Sequence, residues 1–251
     1  MSVKLFGKNI LDQATVAVTT SSALTTQPIT RVYDRDRGPL WESQVITGTT
    51  ITVNQGSLAI AVTDYAIINH NLTVADMLLD SSPDDVTYTN RATFTGVSGT
   101  NIFSAISTQT LQYWRLTIPA TSSAPQIGEF FLGAAFTLSV DPAHDPGPVD
   151  TYEGNVVRHQ SIGGFVRKAR LGDMRRRFRW SWNLLPQADW DNLLTFFAQI
   201  GEGAKHFVIQ DIDGTVRWVE LLTPVIEGRR VHKVATDSYL RAVVLDFEEA
   251  L

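Results

Sequence analysis

The 251 residues include no cysteine, which excludes disulfides, thiol catalysis and zinc–thiolate sites. No stretch approaches the ~18 uninterrupted apolar residues of a membrane-spanning helix, so no membrane partner is expected. The opening Met1-Ser2-Val3-Lys4-Leu5-Phe6-Gly7-Lys8-Asn9 lacks the apolar run and small-residue cleavage site of a signal peptide, which predicts a cytoplasmic origin. Five histidines (His70, His144, His159, His206, His232) are scattered, and no pair has the i, i+4 spacing of a helical metal site. Gly-x-Ser-x-Gly, phosphate-loop and dinucleotide patterns are missing too. Asp211-Ile212-Asp213-Gly214 lacks the downstream acid of a calcium loop and reads as a hairpin turn. Asp34 and Asp36 alternate with Arg35 and Arg37, a salt-bridged loop rather than a carboxylate dyad. These absences predict a protein that is not an enzyme and carries no cofactor and no metal.

What is present is ordinary for a globular chain: 43% hydrophobic and 19% charged residues. The net charge of -5 argues against a dedicated nucleic-acid binder. The length suits two domains of about 100–150 residues. Composition shifts near residue 141, where Asp141-Pro142-Ala143-His144-Asp145-Pro146-Gly147-Pro148 packs three prolines into eight residues. The expected division is 1–140, a Pro-rich linker at 141–149, and 150–251.

The first part reads as short strands between turn signals, an all-β sandwich. Expected strands are Ala14–Val18, Val45–Ile46, Ile51–Val53, Tyr65–Ile68, Met77–Asp80, Arg91–Phe94, Tyr113–Ile118 and Ile127–Leu132. In the second part, Phe178, Trp180, Trp182 and Leu184 alternate with Arg175, Arg177, Arg179, Ser181 and Asn183, the period of a half-buried strand. Pro186 suits the first turn of the helix that follows, with Asp189 and Asp191 near its positive end. Trp190, Leu193, Leu194, Phe197 and Ile200 fall at helical spacing, and Gly201 and Gly203 stop the helix. The fold class expected is mainly β: an N-terminal sandwich plus a C-terminal β-barrel with one packed helix.

Both parts resemble known families. Asp64-Tyr65-Ala66-Ile67-Ile68-Asn69-His70-Asn71-Leu72, Asp80-Ser81-Ser82-Pro83-Asp84-Asp85-Val86-Thr87-Tyr88, Tyr113-Trp114-Arg115-Leu116-Thr117-Ile118 and Gln126-Ile127-Gly128-Glu129-Phe130-Phe131-Leu132-Gly133, with Trp41-Glu42-Ser43 ahead of them, resemble the galactose-binding or discoidin-like jelly roll. Arg177-Phe178-Arg179-Trp180, Leu185-Pro186-Gln187-Ala188-Asp189-Trp190-Asp191-Asn192-Leu193, Phe196-Phe197, the Gly201–Gly203 pair, Phe207 and the Asp211–Gly214 turn resemble the barrel-plus-helix domains of tailed-bacteriophage distal and minor tail proteins. The second resemblance implies a structural protein of the phage tail tip, located in the virion and assembled in the bacterial cytoplasm. Its partners would be further copies of itself in a three- or sixfold ring and other tail proteins of the tube and hub. The first resemblance implies the alternative, a carbohydrate-binding module for host attachment.

Two residue sets carry these readings. From Arg158 to Arg179 eight Lys or Arg face one acid, Asp173. The run admits a subunit contact, a solvated face or a DNA contact. Pairing with an acidic surface of another subunit, at Asp211 to Asp213 or Asp246 to Glu249, is favoured over DNA. The aromatics exceed what a module of about 100 residues needs for its core. Arg175, Arg177, Arg179, Trp190, Phe196 and Trp218 are therefore the candidate subunit interface. Trp41, Asn69, His70, Asn71 and Tyr88 are the candidate contacts for a surface glycan or partner, with Trp114 a further aromatic. The plainer reading of Asn69 to Asn71 is that they satisfy backbone groups at a strand end.

Overall fold

A computed structural model describes residues 3–36, 38–57, 60–142, 149–153, 156–160, 166–170, 175–222, 226–235 and 238–249. Most of the expected linker lies outside the described residues. In chain order the strands are β1 (Lys4–Phe6), β2 (Ala17–Thr20), β3 (Trp41–Glu42), β4 (Thr49–Asn54), β5 (Val62–His70), β6 (Met77–Ser82), β7 (Thr89–Phe94), β8 (Ile102–Gln109), β9 (Tyr113–Ile118), β10 (Gln126–Gly133) and β11 (Phe136–Thr137). There follow β12 (Val149–Glu153), β13 (Val156–Gln160), β14 (Val166–Arg170), β15 (Arg175–Leu185), the helix α1 (Gln187–Gln199), β16 (Phe207–Gln210), β17 (Val216–Leu221), β18 (Gly228–Ala235) and β19 (Ser238–Glu249). The protein is mainly β, with a single α-helix among the described residues.

The sandwich faces a five-stranded sheet, β2-β4-β9-β6-β7, with a four-stranded one, β3-β10-β5-β8. Strand alternation explains its filling. In β4, Ile51 and Val53 point inward while Thr50, Thr52 and Asn54 do not; β9 buries Trp114, Leu116 and Ile118 in the same way. These meet Trp41, Tyr65, Ile67, Leu79, Phe130 and Leu132 in one core. Val45–Ile46, an expected strand, is a loop with both side chains exposed.

The second sheet runs β11-β1-β16-β17-β19-β15-β12, with β18 added beside β19. It curls around a core that takes Trp180, Trp182, Phe207, Val243, Leu245 and Phe247 from its strands and Trp190, Leu193 and Phe196 from α1. Pro186 stands at the helix cap, one position before the expected first turn. Asp189 is buried and accepts from the Ser139 N–H (2.9 Å) and Oγ–H (2.6 Å), which ties the incoming chain to the helix. Leu194 is exposed rather than packed. So is Leu184: the pairing of β15 with β19 shifts register between Trp182 and Leu185, which turns Leu184 outward and Leu185 inward.

The sheets do not follow the expected boundary at 140. Lys4–Phe6 pairs with β16, and Phe136–Thr137 pairs with β1, so both ends of the first part are strands of the second sheet. The two parts are docked. β5 is buried on both faces: Tyr65 and Ile67 enter the sandwich core, while Ala66 and Ile68 pack with Phe131 against Phe6, Val208 and Trp218. A strand covered on both sides needs a continuous apolar run, which is what Tyr65-Ala66-Ile67-Ile68 supplies.

Candidate functional site

At the seam between the two parts lies a cleft of about 250 Å³ lined by Ile68, Asn69, His70, Gly99, Asn101, Gly128, Glu129, Trp218, Asp36 and Glu249. The end of β5 brings Asn69 and His70, and β10 brings Gly128 and Glu129. The loop before β8 supplies Asn101, and β17 and β19 supply Trp218 and Glu249. Such a volume sits below the ~300–1,000 Å³ of drug-sized sites and suits one small ring or a chain end.

The backbone is shaped to open this space. Asn69 adopts a left-handed φ of 51°, and its N–H donates to the Asn101 Oδ1 (3.0 Å). Asn101 in turn donates from Nδ2 to the Val216 carbonyl (3.2 Å), spanning the seam. Gly128 passes close to Asn69; a Cβ there would sit 3.0 Å from the Asn69 Cβ and 3.2 Å from the Ile68 carbonyl oxygen. Trp218 lies against the His206 ring (centroids 5.5 Å apart, near-parallel) and edge-on to Phe131 at 5.4 Å.

The polar groups of the cleft are short of partners. His70 Nδ1 accepts from the Leu72 N–H (3.2 Å), which leaves the ring proton on Nε2, and Nε2 is buried without a fully formed hydrogen bond. Burial lowers the His70 pKa, and the nearby Thr100 backbone offsets this only in part, so the ring is neutral. Glu129 is 2% exposed and neither carboxyl oxygen has a fully formed hydrogen bond. Burial raises its pKa to about 9, against the opposing pull of the nearby Arg35 guanidinium and backbone. At neutral pH it is therefore an uncharged acid with an O–H to donate.

Arg35, itself at φ 61°, is the latch behind Glu129. Its Nη1 donates to the His206 carbonyl (2.5 Å), and its Nη2 donates to the Gly7 carbonyl (2.9 Å) and to Asp12 Oδ2 (2.9 Å). Its guanidinium also lies 4.6 Å from the Phe131 ring centroid. No cluster of three or more His, Cys, Asp or Glu side chains able to hold a metal occurs among the described residues.

Of the expected glycan contacts, the structure brings Asn69 and His70 into this cleft and leaves the others elsewhere. Asn71 is occupied by backbone, donating to the Ala124 carbonyl (2.8 Å) and accepting from the Gln126 N–H (2.8 Å). Trp41 and Trp114 are fully buried in the sandwich core because their strand positions point inward. Tyr88 is half-buried in the loop just before β7, its ring face 3.8 Å from the Arg115 guanidinium and its hydroxyl donating to Asp85.

The expected interface residues are also mostly spoken for within the chain. Trp190 and Phe196 fill the core under α1, and Trp218 closes the seam. Antiparallel register sets Arg177 opposite Glu248 and Arg179 opposite Asp246. The acidic surface is thus the neighbouring strand: Arg177 Nε reaches Glu248 at 2.9 Å, Arg179 Nε reaches Asp246 at 2.6 Å, and Arg175 also pairs with Glu248. Glu129, Asn101 and Arg35 were not among the expected site residues. The signal for Glu129 was a lone carboxyl inside the apolar run Ile127-Gly128-Glu129-Phe130-Phe131.

No family model and no curated protein matches the chain. Among solved structures it is similar to chitosan-binding module 1 of the chitosanase/glucanase from Paenibacillus sp. IK-5, with 19% identity over 50% of this chain and 98% of that one, at a TM-score of 0.44. It is similar to CpGH89CBM32-5 from Clostridium perfringens, in complex with GalNAc-β-1,3-galactose (12% identity, 49% and 99% covered, TM-score 0.44). Chitosan-binding module 2 of the same Paenibacillus enzyme, in complex with chitotriose, matches at 16% identity, 48% and 97% covered, TM-score 0.43. These neighbours are carbohydrate-binding modules, and they account for about half the chain.

Proposed function

We propose that the chain is a non-catalytic carbohydrate-binding protein whose site is the cleft at the seam. The observation that carries this reading is the gathering of Asn69, His70, Asn101 and Glu129 beside the Trp218 ring in one small opening, with the Glu129 carboxyl and His70 Nε2 lacking a fully formed hydrogen bond. Buried polar groups normally find hydrogen bonds, and a polyhydroxylated ring supplies donors and acceptors together. Titration calorimetry of the whole chain with a panel of mono- and disaccharides tests the proposal. Asn69→Gly removes an amide while keeping the left-handed backbone unstrained, and it is expected to weaken binding about tenfold, the loss of roughly 1.4 kcal/mol. Binding by no member of the panel would refute it.

A second reading, a structural protein that assembles with further copies of itself as the tail-tip expectation had it, takes β18 as its contact edge. Its residues Arg229 to Ala235 are exposed, including Val231 and Val234, and it pairs only with β19 among the described strands. An open edge with apolar side chains is a template for another chain. Native mass spectrometry of the full chain tests it: three- or sixfold assemblies are expected, and a strict monomer at high concentration counts against self-assembly.

A further inference from the structure

The charges of the cleft are one-sided. Asp36, Glu129 and Glu249 line it, and no Lys or Arg does. The cation nearest Glu129 is already committed, since both Nη atoms of Arg35 donate to His206, Gly7 and Asp12. Glu249 has a cation at its back, with Arg217 Nη1 at 3.7 Å, whereas Glu129 has only the Arg35 backbone and the committed Arg35 guanidinium nearby and no fully formed hydrogen bond to either buried oxygen. A neutral sugar hydroxyl satisfies one such oxygen. An ammonium group carries three donors and satisfies both, through charge-assisted bonds about twice as strong as neutral ones. The surrounding acids favour a cation and disfavour a carboxylate or sulfated ligand.

We infer that the cleft takes a protonated primary amine carried by an amino sugar, with Glu129 as its counter-ion. The inference rests on the reading of the cleft as a saccharide site and names the sugar class. Glu129 enters the encounter as a neutral acid. As the ammonium settles, the Glu129 O–H bond breaks and its proton leaves to solvent; the carboxylate then accepts N–H bonds from the ligand. One proton is released and the ligand keeps its own, so charge balances. The His70 Nε2–H and the Asn69 amide remain to hold ring hydroxyls.

The test uses the intact chain at pH 6 with three probes: glucosamine, N-acetylglucosamine and Nα-acetyl-lysine amide. Calorimetry in two buffers of different ionisation heat counts the protons. The expected result is at least tenfold tighter binding of glucosamine than of its N-acetylated form, with about one proton released, and loss of that preference in Glu129→Gln. Equal or tighter binding of N-acetylglucosamine, or binding without proton release, overturns the inference while leaving the saccharide reading intact. Lysine amide binding as tightly as glucosamine overturns the amino-sugar assignment. Failure of all three, together with failure of the wider sugar panel, brings down both.

Discussion

Replacing Glu129 by Gln should stabilise this protein, and the gain should grow with pH. In the unfolded chain the carboxyl titrates near 4.5; in the fold burial raises it to about 9. The fold therefore holds a proton that the unfolded chain gives up over that interval, so wild-type stability falls as pH rises from 4.5 towards 9. At about 1.4 kcal/mol per pH unit the loss reaches roughly 3 kcal/mol by pH 7 and roughly 6 kcal/mol by pH 9. Glutamine has nearly the same volume and no charge in either state, so it escapes this loss. Urea unfolding of both proteins at pH 5, 7 and 9 measures the difference directly, because every other titrating group is common to the two. The variant should exceed wild type by under about 1 kcal/mol at pH 5 and by roughly 3 kcal/mol at pH 7. Equal pH slopes, or a less stable variant at pH 7, would show that Glu129 is ionised and partnered in the fold, and would remove the basis for a neutral acid in the cleft.

Other consequences follow from neighbouring sites. Arg35→Met removes the latch and leaves Asp12 with Lys205 at 3.5 Å; a loss of about 3–5 kcal/mol is expected, with the sandwich and the second sheet unfolding in separate denaturant transitions rather than one. Gly228→Ala places a Cβ 2.5 Å from the Trp190 ring, which should cost about 1–3 kcal/mol and disturb tryptophan fluorescence. Arg179→Ala breaks an ion pair whose arginine side chain is 60% exposed, so its thermal stability should change by at most about 1 kcal/mol and less in high salt. Glu248→Ala, by contrast, strips Arg175 and Arg177 of a carboxylate buried to 1%; its loss should exceed that of Arg179→Ala in the same melting experiment.

Much of the sandwich was legible because its strands carry their own pattern. Tyr113–Ile118 alternates strictly, and its expected and observed limits coincide. Trp180 and Trp182 were legible for the same reason, up to the bulge that no local pattern announces. β8 escaped notice because its face is only half-buried, so Ser and Thr interrupt the apolar positions. β18 escaped because it is exposed throughout and has no two-sided environment to impress on its sequence. Asn69 and His70 stood out as polar residues ending an apolar run. Trp218 stood out as surplus aromatic surface, but sequence cannot say whether such surface meets another subunit or another part of the same chain. Here it meets β5 and β10. Arg35 was the least visible, since its partners are 23 to 171 residues away.

The position of β1 has a consequence for the order in which the molecule is made. Lys4–Phe6 leaves the ribosome long before most of the second sheet, yet it is an interior strand of that sheet, held between β11 and β16. Its partner Phe207–Gln210 appears some 200 residues later, a delay of roughly 10–40 s at ~5–20 residues per second. During that time the sandwich can close, Phe6 can pack on Phe131 and β11 can pair with one edge of β1, but the edge that β16 will cover stays open and Leu5 still lacks the second core. Completion of the second sheet is thus a stitch back to the beginning of the chain. A fragment starting near residue 150 would lack that stitch, and with it the covering of the β16 edge.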